Sequence, residues 1–353
     1  MTPERVLSLP EVPQKVADDF GIPQFGTYRG GLSSAALSDL RGEHQLSLPL
    51  RALKHKKWQY QLFCTNEVIA LYAVADLAYT SNAFAVVVDL GQKKALCDVS
   101  FLGPPRSPLA AVNDQPGEGL QAKFRTLGAK FTASRPKGAE RYRFTVDVPS
   151  LPMIRQGVEL NAELLAAGGA PALTVIAPVQ GGVVNVTQKW AGLLSFGEVQ
   201  AGGKSFTLDG GVGGMDYTQG YLARRTKWRW AMGAGRLENG EPVGFNLVEG
   251  FNEASNVNEN AVWVGDRMEP VGRARFVWND ADLLDRWTLE TEDGAVRLSF
   301  KPIHIHREER DLKVVKSYFA QPVGLFDGTI TLNGRTYAVK DVGGVTEDQD
   351  ITW

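Results

Sequence analysis

The chain has 353 residues, of which 43% are hydrophobic and 22% charged, with a net charge of −2. This length predicts about two globular domains, and the near-neutral charge excludes the basic field that recruits nucleic acid. Two cysteines, Cys64 and Cys97, are too few for a disulfide framework and are expected to be buried free thiols. Because no apolar run reaches the roughly 18 residues of a membrane span and the first residues lack a signal-peptide pattern, we predict a cytoplasmic protein without a transmembrane segment.

Alternating hydrophobic and polar residues in the first half predict β-strands, since side chains on a strand point in turn to opposite faces. Residues 142–148 alternate strictly, and residues 158–164 alternate as well. Residues 68–77 and 84–90 are predicted as two further strands on either side of a short turn.

The second half has the same pattern, with turn signals between most of the predicted strands. Strands are expected at residues 228–237, 243–251, 261–264, 273–278, 287–291, 296–306, 313–319 and 329–332. No long window has the period of an amphipathic helix, and so many short strands favour barrels or sandwiches. A turn after residue 178 divides the chain about evenly, so we predict an N-terminal β half at 1–178 and a C-terminal β half, carrying the candidate site, at 179–353.

Four motifs of the second half are distinctive, at residues 235–252, 259–266, 321–328 and 344–353. Together with a shorter match around residues 75–79, they resemble a bacterial family known only as a domain of unknown function, DUF2804. This resemblance implies no established activity.

A more distant resemblance starts from residues 214–220, Gly-Met-Asp-Tyr-Thr-Gln-Gly, which are followed by Trp228 and Trp230. The pattern is similar to that of carotenoid hydratase-like proteins, a group that extends towards tocopherol cyclase-like relatives. The resemblance implies a mostly β chain of two packed lipocalin-like antiparallel barrel halves with few short helices. Tyr217 stands where the group has His, and Gln219 where it has Trp, so the group's proton-relay residues are replaced here.

Asp216 is the candidate proton donor. In hydratase-type chemistry a carboxylic acid protonates a carbon–carbon double bond and water captures the carbocation, so the acid must keep its proton in an apolar site. Tyr217 is a second candidate catalytic residue, and Tyr221 a candidate ligand contact, since both are compatible with such a site. The alternative is a structural Asp that braces a turn after the glycine-rich run 210–214.

Trp228, Trp230 and Met232 are spaced two apart and therefore share one face of a predicted strand. They are candidate ligand contacts, because aromatic faces stabilise a passing cation by about 0.5–2 kcal/mol per contact. The alternative is ordinary barrel core, and in a lipocalin the core and the pocket wall are the same surface.

Two histidines follow Val296, Leu298 and Phe300 at even positions, which predicts that His304 and His306 share the inward apolar face. His304 is a candidate acid–base relay and His306 a candidate ligand contact. Structural histidines at a barrel rim are one alternative. A His-x-His metal pair is the other, although the sequence fixes no third ligand.

Glu249 follows Val243, Phe245 and Leu247 at the same period, so it is predicted to face inward. It is a candidate ligand contact or second catalytic carboxylate. Since buried carboxylates are costly unless paired, a structural ion pair with Arg236 is the alternative.

Other polar segments are given plainer interpretations. The loop at 252–260 is predicted to be a hydrogen-bonded connection rather than a calcium site, and the acids of 347–350 to be mostly solvated beside a hydrophobic tail that packs on the body. The basic clusters at 54–57 and 224–227 are expected at a solvated face, with peripheral contact to anionic lipid as the alternative.

Three functions remain open from the sequence. The first is binding of a hydrophobic small molecule, a lipid or isoprenoid, in a β-barrel pocket. The second is an acid-catalysed hydratase, isomerase or cyclase acting on an isoprenoid-like substrate, and the third a structural or interaction role with filled barrels. No cofactor, metal or nucleic-acid partner is expected, because the chain has no phosphate loop, dinucleotide fingerprint, nucleophile elbow or Cys-x-x-Cys.

Overall fold

The computed structural model describes residues 9–104, 109–151, 153, 155–252, 257–311 and 316–353, and the side chains of residues 310 and 311 lie outside this description. Nearly all of the regular structure is β, apart from a seven-residue helix, α1 (Leu48–Lys54), and a 3-10 turn at Gly42–His44. The predicted mostly β chain with few short helices is thus confirmed. Neither described helical segment is long and apolar enough to cross a membrane.

The first sheet is formed by fourteen strands of the described chain. They are β1 (Gly26–Arg29), β2 (His55–Cys64), β3 (Val68–Asp76), β4 (Ser81–Asp89), β5 (Lys94–Gly103), β6 (Ala110–Val112), β7 (Gln121–Thr126), β8 (Ala129–Ser134), β9 (Arg141–Val148), β10 (Val158–Leu165), β11 (Leu173–Pro178), β12 (Val184–Ala201), β13 (Lys204–Thr207) and β14 (Val212–Tyr221). Its main order is β5-β4-β3-β2-β14-β12-β10-β9-β8-β7-β6. Because β6 packs back against β3, the sheet curls into a barrel-like half.

The second sheet is formed by nine described strands. They are β15 (Arg225–Arg236), β16 (Pro242–Glu249), β17 (Ala261–Val264), β18 (Arg267–Pro270), β19 (Ala274–Val277), β20 (Trp287–Thr291), β21 (Val296–Asp311), β22 (Lys316–Leu332) and β23 (Arg335–Thr352). The order is β18-β17-β16-β15-β23-β22-β21-β20-β19, and β16 packs against β19 to curl the sheet.

The two halves pack against each other through strands whose two faces are both buried. Almost every residue of β3, β4 and β14 is buried, which explains why residues 68–90 are nearly continuously apolar instead of alternating. One face of these strands lies in the interior of the first barrel, where Tyr72 belongs to its core, and the other meets the second sheet. Leu71 and Met232 belong to the separate core between the sheets.

The chain changes sheet between Tyr221 and Arg225, later than the predicted division. The turn after residue 178 joins β11 to β12, and both strands belong to the first sheet. The sheets therefore cover residues 26–221 and 225–352. Division of the chain into two folding domains stays a prediction.

Two long strands at the C-terminal end differ from the sequence prediction. The strands predicted at 313–319 and 329–332 are parts of one strand, β22, and residues 313–315 lie outside the described residues. One of the turn signals of the second half, at residues 326–328, coincides with a register shift inside that strand, between Phe326 and Gly328. β23 was not predicted, because its acidic residues resemble a solvated tail. Both cysteines are buried and free, as predicted.

Candidate functional site

A cavity of about 330 Å³ lies between the two sheets. Residues of β2, β3, β4 and β14 form one wall, and residues of β15, β22 and β23 form the other. The candidate site was placed in the C-terminal half, whereas the lining of this cavity comes from both halves. Aromatic side chains pack in the interior of the second barrel. Phe326 contacts Phe245 and Phe300 there, with ring centroids 4.9 and 4.4 Å apart.

Aromatic rings from both halves meet at the cavity. Trp58 stacks on Trp228 with centroids 6.1 Å apart, and Tyr60 contacts the edge of Trp230 at 5.1 Å. Trp228 and Trp230 share one face of β15 with Met232, and that face meets the first sheet. The two tryptophans line the cavity, whereas Met232 packs in the core between the sheets without lining it.

A buried lysine from the first sheet lies between two acids of the cavity wall. The Nζ atom of Lys189, on β12, is 2.8 Å from Oδ1 of Asp216 and 3.9 Å from Oε2 of Glu259. All three side chains are almost completely buried, and Lys189 and Asp216 are direct partners in the β12–β14 register. The lysine offsets much of the cost of burying these carboxylates, so removing it would leave uncompensated charge.

Asp216 lies within β14, not in the turn that was the alternative, and lines the cavity. Its Oδ2 atom accepts a hydrogen bond of 3.0 Å from the indole of Trp58, and its Oδ1 atom accepts one of 2.9 Å from Thr218. Lys189 and an indole N–H can only donate, so both carboxylate oxygens serve as acceptors. Glu347 also accepts hydrogen bonds at both oxygens, so what sets Asp216 apart is its ion pair with Lys189, which suits a charge-pairing role better than the expected proton donor.

Glu347 is a second acid on the cavity wall and has different surroundings. It is 6% exposed on β23, accepts a 2.6 Å hydrogen bond from the indole of Trp228, and accepts a 2.9 Å bond from the amide of Gln321. Burial raises the pKa of Glu347 to about 7, despite the opposing effect of these two hydrogen bonds. The prediction that the acids of this segment are mostly solvated is wrong for Glu347 and for Asp348, which is also 6% exposed, because β23 lies between β15 and β22.

The two candidate tyrosines of β14 point away from the cavity. Strand alternation sends Tyr217 to the opposite face from Asp216, where its hydroxyl donates a 2.8 Å hydrogen bond to the carbonyl of Asn113. Tyr221 also belongs to the core of the first barrel and contacts the ring of His55. Neither tyrosine lines the cavity, so the structure does not bring them together with Asp216 as a catalytic group.

The predicted inward face of His304 and His306 is wrong because β21 contains a β-bulge. The register shifts between Pro302 and His304, so one additional residue reverses which positions face the barrel interior. Phe300 is in the core of the second barrel before the bulge, and Ile305 packs against that core after it. The histidines consequently point towards the first sheet.

Both histidines bind one carboxylate of the first sheet, Asp98 on β5. Nε2 of His304 and Nδ1 of His306 are each 2.6 Å from an oxygen of Asp98. Burial opposes the charge on both groups, but the hydrogen bonds that Asp98 accepts from the two histidines lower its pKa to about 2. The hydrogen bond that His306 donates to Asp98, together with the nearby carboxylate of Glu308, raises the pKa of His306 to about 9. Neither histidine lines the cavity, so this cluster connects the halves instead of serving Asp216.

Glu249 lies outside the cavity lining, at the end of β16. Its Oε2 atom accepts a 3.2 Å hydrogen bond from the backbone N–H of Phe276. The proposed partner Arg236 instead donates to the carbonyls of Gly210 and Gly240. In the described part of loop 252–260, Glu259 accepts a 3.2 Å hydrogen bond from Asn252, as expected for a hydrogen-bonded connection, while residues 253–256 lie outside the described residues.

Sequence reasoning did not find Trp58, Tyr60, Lys189, Glu259 or Glu347. Lys189 and Asp216 are 27 positions apart in the sequence, and only the antiparallel β12–β14 pairing brings them together. A weak signal was present in the aromatic alternation of Trp58 and Tyr60 at the start of an apolar stretch. Among the described residues, no cluster of three or more His, Cys, Asp or Glu is arranged to hold a metal ion.

The fold and the cavity define a protein of two packed lipocalin-like halves with space for a small molecule between its sheets. The chain belongs to the family described as a domain of unknown function, DUF2804, which matches residues 10–353. None of the curated proteins is a significant match to the sequence.

Solved structures show the same architecture at low sequence identity. CghA is 10% identical with a TM-score of 0.53 over 97% of each chain, and CghA with Sch210972 gives the same values over 98% of each chain. Kievitone hydratase from Nectria haematococca, 12% identical over 92% of this chain and 97% of its own, has a TM-score of 0.44. An AttH protein from Nitrosomonas europaea, 12% identical over 86% of this chain and 96% of its own, has a TM-score of 0.48. The similarity to CghA supports the two-barrel fold, and the two lower scores add nothing to it.

Proposed function

We propose that the protein binds a mostly apolar small molecule between its two sheets and that Glu347 donates a proton to it. The observation that carries this proposal is a buried carboxyl group with a pKa of about 7 on an aromatic cavity wall. A general acid works best when its pKa is close to the working pH, because it is then both protonated and able to release the proton. The reaction class is an acid-catalysed hydration, isomerisation or cyclisation of an alkene.

The reaction transfers the carboxyl proton of Glu347 to one alkene carbon and leaves a carbocation on the other. An internal double bond or a water molecule then attacks the cation, or a neighbouring C–H bond gives up its proton. The proton lost from the cation or from the added water returns to the carboxylate of Glu347, so the acid is regenerated.

The cavity wall favours a positively charged intermediate. Trp228 and Trp230 present aromatic rings to the cavity, and such faces stabilise cations by about 0.5–2 kcal/mol per contact. The described lining also has four acids, Asp216, Glu259, Glu308 and Glu347, but one lysine. Fixed negative charge next to a developing cation lowers the barrier without reorganisation during the reaction.

Solvent deuterium tests the proposed chemistry without knowledge of the natural substrate. A panel of isoprenoid alkenes is incubated with the protein in D₂O near neutral pD, and carbon-bound deuterium is measured by mass spectrometry. We expect incorporation by the wild type and a loss of roughly 100-fold or more in Glu347→Gln, since this is the usual contribution of a general acid. Glu249→Gln is the matched control, because Glu249 lies outside the cavity lining, and it should behave as the wild type.

Binding of the same alkenes, measured by equilibrium dialysis, separates the two parts of the proposal. Alkenes that bind to the wild type without gaining deuterium would support the second candidate, a binding protein without a reaction. That candidate is favoured by the ion pair between Asp216 and Lys189, because Asp216 then balances charge and the proposed chemistry depends on Glu347. Equal deuterium incorporation by the wild type and Glu347→Gln would contradict the role of this residue.

A further inference from the structure

Two buried polar atoms of the cavity lining have no hydrogen-bond partner among the described residues, Oε1 of Gln321 and the hydroxyl oxygen of Tyr60. The amide oxygen of Gln321 can only accept, whereas the hydroxyl of Tyr60, a residue on β2 that is 4% exposed, can donate a hydrogen bond. Other buried tyrosines are satisfied by backbone carbonyls: Tyr72 donates to Thr132, Tyr142 to Pro116 and Tyr217 to Asn113. The unpaired hydroxyl therefore distinguishes Tyr60 from these tyrosines and marks a place where a ligand can bond.

A buried hydroxyl without a partner is unfavourable, so a ligand filling the cavity must supply one. A purely hydrocarbon ligand that fills the cavity would leave the hydroxyl of Tyr60 without a hydrogen-bond partner. The ring of Tyr60 packs between Trp230, with centroids 5.1 Å apart, and Phe84, at 6.5 Å, which restricts its movement. Burial first, and then the charge of Glu347, raise the pKa of Tyr60 well above its usual value, so the group is a neutral donor.

We infer that the ligand is an apolar molecule with a neutral carbonyl group, whose oxygen accepts a hydrogen bond from the hydroxyl of Tyr60. This inference rests on the proposed function, since it assigns the chemistry of the ligand in the same cavity. A carboxylate ligand would also accept the bond, but the acids of the wall outnumber Lys189, which disfavours a further negative charge. The ligand class is therefore an oxygenated isoprenoid or other unsaturated ketone, not the pure hydrocarbon of carotenoid-like chemistry.

Two probes of matched shape test the inference. 2-Acetylnaphthalene and 2-isopropylnaphthalene differ at one position, a carbonyl oxygen in the first and a methyl group in the second, and equilibrium dialysis gives both dissociation constants. We expect the wild type to prefer the ketone by roughly 5- to 20-fold, the effect of a buried hydroxyl gaining a partner. Tyr60→Phe should abolish this preference, because it keeps the ring and removes the donor.

Tyr217→Phe is the matched control, since it removes a buried hydroxyl that faces the first barrel and not the cavity. It should keep the preference of the wild type. Equal binding of both probes by the wild type, or a preference that persists in Tyr60→Phe, would overturn the inference and leave the cavity as a ligand site. If the wild type binds neither probe, the proposed function fails and the inference with it. Equal binding of the two probes by the wild type overturns the inference even if Tyr60→Phe does not fold.

Discussion

At the scale of single residues, Lys189 is the lysine that compensates buried negative charge in the described cavity. It is the cation within 4 Å of both Asp216 and Glu259, and its Nζ atom also lies 5.5 Å above the ring of Trp230. Burying an unpaired carboxylate costs several kcal/mol, whereas an exposed ion pair contributes about 0–1 kcal/mol. The buried position of Lys189 therefore makes its contribution to the free energy of unfolding larger than that of an exposed lysine.

We expect Lys189→Met to lower the free energy of unfolding by about 3–5 kcal/mol at pH 7, because it leaves two buried acids without their cation. Denaturant titration followed by circular dichroism measures this change. Lys301→Met is the control, since Lys301 forms a half-exposed pair with Asp327 at 3.1 Å and should cost less than about 1 kcal/mol. Similar losses for the two variants would show that Lys189 does not compensate buried charge.

The resemblance and the strand spacing together predicted part of this site. Asp216 follows from the resemblance to carotenoid hydratase-like proteins, and Trp228 and Trp230 from that resemblance and from their spacing of two. All three lie on the cavity wall, although their roles stay predictions. Glu347 was not selected, because an acid among other acids near the end of a chain resembles a solvated tail. Its surroundings depend on the neighbouring strands β15 and β22, which local sequence does not reveal.

At the scale of strands, side chains at alternating positions lie on opposite faces of the sheet, so an odd or even position decides which face a residue occupies. The predicted strands at 142–148 and 158–164 correspond to β9 and β10, and their buried residues alternate as expected. In β21 the same rule fails for His304 and His306, because the bulge after Pro302 shifts the alternation by one residue. A proline inside a strand signals such irregularity, but it does not fix where the extra residue falls.

The contact between the sheets also depends on small residues in strands. A Cβ atom added to Gly343 on β23 would lie 2.9 Å from Sγ of Cys64 and 3.1 Å from a side-chain carbon of Ile69, both in the first sheet. Real Cβ atoms essentially never approach heavy atoms below 3.0 Å, so either the side chain of Cys64 must move or the sheets must separate locally. The glycine is required here for close approach.

We expect Gly343→Ala to destabilise the protein by about 1–3 kcal/mol, the usual cost of an overpacked core. Thermal unfolding and denaturant titration both measure the change. Gly117→Ala is the control, because the nearest atom to an added Cβ there is 3.8 Å away. A neutral Gly343→Ala variant would show that the two sheets are not in tight contact at this strand.

At the scale of the whole molecule, alternation and turn signals predicted a mostly β protein of barrels or sandwiches, and the resemblance to carotenoid hydratase-like proteins added the two packed antiparallel halves. They did not predict where the cavity lies, since that depends on how two finished sheets pack. The face of Trp228 and Trp230 was expected to line a barrel interior, but it meets Trp58 and Tyr60 of the other half. The cavity wall is therefore complete only when both halves are docked.

The cluster of Asp98, His304 and His306 connects the two halves, and its protonation should couple docking to pH. His306 is 2% exposed, stacks on Phe84 of the first sheet at 4.5 Å, and has its Nε2 atom 3.7 Å from Oε1 of Glu308. Its pKa rises from 6.5 to about 9 on folding, so folding is favoured by the charged form. This stabilisation is complete below about pH 6.5 and is lost as the pH rises through 9.

We expect the wild type to lose roughly 2–3 kcal/mol of unfolding free energy from this group between pH 6.5 and 9.5. Asp98→Asn removes the main negative partner of His306, so its stability should be lower at pH 6.5 and should fall less over the same interval. Asp327→Asn, which alters the half-exposed pair with Lys301, should keep the pH dependence of the wild type. Denaturant titrations at several pH values measure these slopes, and parallel profiles for Asp98→Asn and the wild type would contradict the coupling. Because the cavity wall needs both halves, a confirmed slope would also predict weaker ligand binding at alkaline pH.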